Sequence, residues 1–262
     1  MKLNVIQGLL LKYWYITIGK IDRIFEIVYW PFLSLLVWGL TSRYILGMVN
    51  NSMIVSFFVG GIILWTFFQR AQQDIATYIL EDFWSGNLLN LFVSPATPTS
   101  IMASISIFSL IKAFITFLFL AFLGWALFSF NMIALNWIAL AYFLVNIILF
   151  AWILGIFVSS IIFRYGQRIQ VFAWSVVWLV QPFSCVFYPL SSLPELLQKV
   201  AIWFPLTHVF EGMRSVISTG VFDGIMLMKA VALNLVFLVI VSFYFGNCID
   251  KAKIKGGLVK QE

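Results

Sequence analysis

The chain has 262 residues, 63% of them hydrophobic and 10% charged, with 16 Lys+Arg against 10 Asp+Glu. A soluble domain carries about 25% charged residues, so this balance, with 28 Phe and 11 Trp, excludes a soluble globular protein and points to an all-α integral membrane protein. The net charge of +6 does not indicate nucleic acid, because the basic residues lie between apolar runs, where they report topology.

Residues 1–20 alternate basic and apolar positions and lack the apolar core and small-residue cleavage site of a signal peptide. Leu3, Ile6, Leu10, Tyr13 and Thr17 recur at three- and four-residue spacing, with Lys2, Gln7, Lys12 and Lys20 off that stripe. The pattern predicts an amphipathic helix lying in the inner membrane interface; the plainer alternative is a simple lead-in to the first span.

Six apolar stretches approach the roughly 20 residues needed to cross a bilayer: Ile24–Leu40, Met53–Phe68, Ala113–Phe130, Ile138–Phe163, Ile169–Phe187 and Ala230–Asn247. Six spans place both termini on one side, and the basic residues choose it. Lys2, Lys12, Lys20, Arg23, Arg70, Lys112, Arg164, Arg168, Lys251, Lys253, Lys255 and Lys260 fall on that side; Arg43, Lys199, Arg214 and Lys229 fall on the other. Both termini, including a basic tail over 250–262, are therefore expected in the cytoplasm of a multi-pass inner-membrane protein. Lys112 and Lys229 are expected at span edges, where a long stem lets the ammonium snorkel to water. Cys185 and Cys248 fall at opposite ends of the layout and cannot form a disulfide. Glu26 is the one carboxylate this layout leaves within a span.

Between spans two and three, residues 69–100 form the longest cytoplasmic connection. Asp74, Glu81 and Asp82 precede a short segment bracketed by Gly86, Pro95 and Pro98. Its Leu88, Leu89, Leu91 and Phe92 are too few to cross and too apolar to stand alone in water. The segment either docks on another protein or folds back onto this one.

Between spans five and six, YPLSSLPELLQKVAIWFPLTHVFEGMR holds Pro189, Pro194 and Pro205 and the only histidine, His208. Ser192 with Glu195 reads as a capping box, with Pro194 tolerated in the first turn. That helix is expected to end before Pro205, and Thr207 to cap a second one ending near Gly220. Two short helices over 189–220 would then form an outer re-entrant hairpin, with Glu211 and Arg214 paired at i and i+3. One histidine cannot supply an HExxH zinc site, and no G-x-S-x-G is present, so neither metal nor nucleophilic catalysis is expected.

The interfacial N-terminal helix, the segment EDFWSGNLLNLFVSPATPTS, and the P-x-x-x-L-P, PLTH and E-x-x-R elements before the last span resemble the integral-membrane permeases of type 2 ATP-binding cassette (ABC) exporters. The resemblance covers essentially the whole chain. It implies that Glu81, Asp82, Leu88, Leu89, Leu91 and Phe92 belong to a coupling helix seated on an ATPase. It implies that Pro189, Pro194, Pro205, His208, Glu211 and Arg214 belong to an outer gating hairpin. No G-x-x-x-x-G-K-[ST] occurs, so ATP and Mg are expected in a separate ATPase subunit. A second permease copy, as a dimer, would complete the pathway among membrane lipids. A secondary transporter and a membrane assembly or scaffold protein remain as alternatives, the former marked by ionisable residues deep within spans.

Overall fold

Lipid tails are as apolar as leucine, so helices in a bilayer associate through close packing and interhelical polar contacts rather than through hydrophobic burial. The computed structural model describes residues 3–49, 53–133, 135–221 and 224–254, and among them regular structure is entirely helical. Lys2, Lys255 and Lys260 lie outside these residues, as do the side chains of Leu89 and Lys253.

Among the described residues, five helices are long and apolar enough to cross a membrane: α2 (Ile21–Val49), α3 (Met53–Trp84), α5 (Pro98–Phe128), α6 (Trp137–Tyr165) and α10 (Gly224–Ile254). Shorter ones are α1 (Leu3–Ile18), α4 (Leu88–Val93), α7 (Phe172–Val180), α8 (Glu195–Ala201) and α9 (Pro205–Thr219). The predicted span Ile169–Phe187 is not one helix. Its α-helical part is the nine residues of α7, because Pro182 has no N–H to donate and its ring crowds the preceding turn. Beyond it the chain is irregular, with Cys185 at φ 53°. This segment nonetheless runs along most of α3. Trp174 stacks on Trp84 near the end of α3, and the Val186 carbonyl lies against Gly61 near its start.

Two hydrophobic clusters succeed one another along the bundle. One gathers Val59, Ile63, Phe67, Phe143, Phe150 and Phe210, the other Tyr13, Ile79, Leu88, Ile105, Ile162 and Phe163. Small residues set the closest approaches: a Cβ on Gly155 would lie 2.7 Å from Ile75 Cδ1, and one on Gly61 2.9 Å from the Val186 oxygen. Asn234 of α10 donates to the buried Asn146 of α6 at 3.1 Å. Such a bond is worth about 0.6–2 kcal/mol in a membrane bundle.

Helix α5 begins with a capping box in which Thr97 and Ser100 bond reciprocally and Pro98 occupies the first turn. On α1 the buried stripe is Ile6, Leu9, Tyr13 and Thr17, with Leu3 at 68% exposure. The buried stripe differs from the expected one in that Leu9 takes the place of Leu10, which is half-buried, and Leu3 drops out, because α1 packs on α5 and α2.

Candidate functional site

Helix α3 does not stop at Phe68 but continues to Trp84, so most of the expected connection 69–100 is helix. The apolar positions Ala71, Ile75 and Ile79 carry the buried stripe onward. Acids along it are tied to bases far away in sequence. Lys12 Nζ lies 2.5 Å from Asp82 Oδ1, and Arg23 and Lys20 both reach Glu81. Asp82 also accepts from Asn87 at 3.1 Å and from the Tyr13 hydroxyl at 3.4 Å. Burial, then the Asp82 carboxylate, push the Tyr13 phenol above its usual value, so it remains a neutral donor. Glu81 and Asp82 thus clamp the end of α3 to α1 and α2, leaving little of either for a partner.

Helix α4 follows as one six-residue turn, folded back onto the bundle. Leu88 and Leu91 are buried in the second hydrophobic cluster, and Phe92 meets Phe163 edge-on at 6.4 Å. Of the two alternatives the sequence leaves open for this segment, folding back accounts for Leu88 and Leu91, whose side chains complete the protein's own core. Val93 (87% exposed), Trp84 and Asn90 face out instead.

Two turns further into α3, Asp74 and Lys112 form a buried ion pair at 3.1 Å, each side chain 3% exposed. Arg70 reaches Asp74 at 3.3 Å and Glu26 at 3.5 Å. Two expectations are corrected here. Lys112 does not snorkel to water, since its ammonium has a carboxylate beside it, and Asp74 joins Glu26 as a carboxylate within a spanning helix. The distance in sequence between Asp74 and Lys112 hid their pairing.

Beside this network, α2, α3 and α7 enclose a cleft of about 420 Å³. Trp30, Trp174 and Trp178 line one side. The other is a polar stripe of α3, formed by Thr66, Gln69, Arg70, Gln73, Asp74 and Thr77. These six recur at three- and one-residue steps, which places them on one helix face. The Thr66 hydroxyl and Arg70 Nε are buried without a hydrogen-bond partner.

At the opposite end of α3, the hairpin forms from different caps than expected. Helix α8 starts after Pro194 with no side-chain cap, so the Ser192–Glu195 box is not made. Pro205 occupies the first turn of α9 after Phe204, and Thr207, rather than capping, sets its hydroxyl 2.7 Å from the Ala201 carbonyl and 2.8 Å from that of Phe183. Gly220 ends α9 with φ 71°, the left-handed cap that glycine favours. Burial lowers the His208 imidazole below its usual value, and Nε2 meets the Ile202 carbonyl at 2.9 Å. Pro189 and Pro194 flank the short 3-10 turn Leu190–Ser192.

The Glu211–Arg214 pair is present at 2.7 Å. Glu211 Oε1 also accepts from the Leu190 N–H at 2.6 Å, and Arg214 lies 3.5 Å from the Val186 carbonyl. The carboxylate therefore holds the approach to the hairpin against α9. Glu211→Lys is expected to free residues 186–194, raising their protease cleavage rate about tenfold or more. The swap Glu211→Arg with Arg214→Glu is expected to do little better, because it sets a guanidinium donor against the Leu190 N–H donor. Full protection in the swap would show that charge pairing alone holds the hairpin.

The sequence profile described as "ABC-2 family transporter protein" matches residues 42–246. No curated protein matches the chain.

Proposed function

Because the chain belongs to the ABC-2 family of transporter proteins, we propose that this permease subunit forms the pathway of an ATP-driven exporter, completed by a second permease copy. ATP and Mg would act in a separate ATPase subunit, one beside each permease, and this chain would itself carry out no catalysis. The end bearing α4 and both termini would face the cytoplasm of the inner membrane. The segment 172–187, which runs from Trp84 to Gly61 along α3, would serve as the sixth crossing.

The observation that carries this reading, beside the family match, is the α3–α4–α5 corner. A short helix whose inner face is welded to the bundle, and whose base is fixed by Asp82 to Lys12 and Asn87, can pass force to α3 without absorbing it. Its outward Val93, with Trp84, supplies an apolar contact for the ATPase. Val93→Asp is expected to leave folding intact and to weaken co-purification of the ATPase about tenfold or more, since hot-spot contacts cost over 1 kcal/mol when lost. Retention of the ATPase at full stoichiometry would sink this docking face.

Orientation has its own test. Both native cysteines are buried, so background labelling by a membrane-impermeant thiol reagent is low. A cysteine at Ser192 is expected to label in intact cells, and one at Ser94 only after the cells are opened. The reverse pattern would invert the layout.

A further inference from the structure

We propose that the cleft between α2, α3 and α7 binds a sugar ring. Its role as cargo rests on the permease reading above; the binding itself does not. Three indoles from two separate elements converge there, with Trp30 60% and Trp178 56% exposed. Indoles that merely anchor a protein at the membrane interface have no need of a polar wall opposite them. Here the wall extends about 16 Å along α3, at 1.5 Å per residue. Hydrogen-bonding groups at membrane depth face protein or a wet cavity, not lipid.

The occupant must satisfy both walls. An acyl chain would cover the indoles and strand the amides of Gln69 and Gln73. A free anion would have to displace Asp74 and Glu26 from Arg70, and a free cation would have to displace Arg70, Lys112 or Arg23 from those carboxylates. With its charges already paired, the cleft suits a neutral ligand. A sugar ring offers C–H faces to stack on indoles and rim hydroxyls for the glutamines and for the unpartnered Thr66 hydroxyl and Arg70 Nε. The volume is within the range of small-ligand pockets, roughly 300–1,000 Å³.

The test uses the full chain in a sugar-free amphipathic polymer, without ATPase, so it stands whether or not the exporter reading does. Octyl glucoside below its micelle concentration is added while tryptophan fluorescence and the thermal midpoint are followed. A saturable change in both is expected, and none with an octyl oligoethylene glycol ether that has the same chain and no sugar. Gln69→Leu with Gln73→Leu is expected to weaken the apparent affinity about tenfold or more. Thr66→Val, which removes an unsatisfied buried hydroxyl and so does not threaten folding, is expected to weaken it about threefold to tenfold. Competition by free maltose would identify a soluble saccharide as the source, and its failure to compete a membrane-borne glycoside. An ether response equal to that of the glucoside, or unchanged glucoside affinity in Thr66→Val and in the glutamine pair variant, would overturn the proposal.

Discussion

Asp74→Leu is expected to destabilise the protein by about 3–5 kcal/mol, the cost of removing one partner from a buried ion pair. The loss would come less from the missing attraction than from what remains. Lys112, 3% exposed, would have no carboxylate beside it and would face the guanidinium of Arg70. The double change Asp74→Leu with Lys112→Met should recover most of the stability, because well-packed apolar replacement of a buried pair is often neutral or better. Thermal unfolding of the four proteins in one detergent closes the cycle. A double variant as unstable as Asp74→Leu would show that the pair holds shape through more than charge compensation. Lys20→Ala makes the contrast: that ammonium is 57% exposed and 3.7 Å from Glu81, and exposed pairs are worth about 0–1 kcal/mol.

Leu88→Asp with Leu91→Asp is expected to unfold the α4 corner rather than cleanly release a partner. Each change puts a carboxylate into the cluster of Ile79, Phe83, Ile105 and Phe163, where burying an unpaired charge costs several kcal/mol. Protease sensitivity over residues 85–97, together with a lowered thermal midpoint, checks it. If the variant melts like the parent protein, Leu88 and Leu91 cannot be core residues. Comparison with Val93→Asp separates the two faces of one short helix: inner changes should cost stability, outer changes association alone.

What the sequence made legible were features that depend on near neighbours. The helical class, the proline-divided hairpin, the Glu211–Arg214 pair at i and i+3, and the glycine at the end of α9 are all local patterns, and all are present. What stayed hidden depends on partners remote in sequence. Arg70 and Asp74 look like the start of a polar connection until Glu26 and Lys112 are brought beside them, so the hydropathy pattern ends the span at Phe68 although α3 continues to Trp84. Lys12 and Asp82, 70 positions apart, hid the clamp in the same way. Two differences do have a local signal in the sequence. Thr97-Pro98-Thr99-Ser100 carries the start of α5, and Pro182 within Ile169–Phe187 argued against a continuous span. The caps of the hairpin differ from the sequence pattern because the hydroxyl of Thr207 finds carbonyls of Ala201 and Phe183 that no sequence spacing announces.

The unbroken length of α3 has a mechanical consequence. From Gly60, packed on Met213, to Trp84, stacked on Trp174, it is one stiff rod of about 36 Å at 1.5 Å per residue. Where Ile75 presses into the space left by Gly155, the rod is pinned closest to its neighbour. That point lies about 14 Å from the Trp84 end and about 22 Å from the Gly60 end. A rod pivoting there swings its two ends in opposite directions, and the longer arm travels further. A shove of about 2 Å beside α4 would arrive at the hairpin as a counter-swing of about 3 Å, by the ratio of those arms. Widening the pivot, as Ile75→Ala would, loosens that gearing without touching either end.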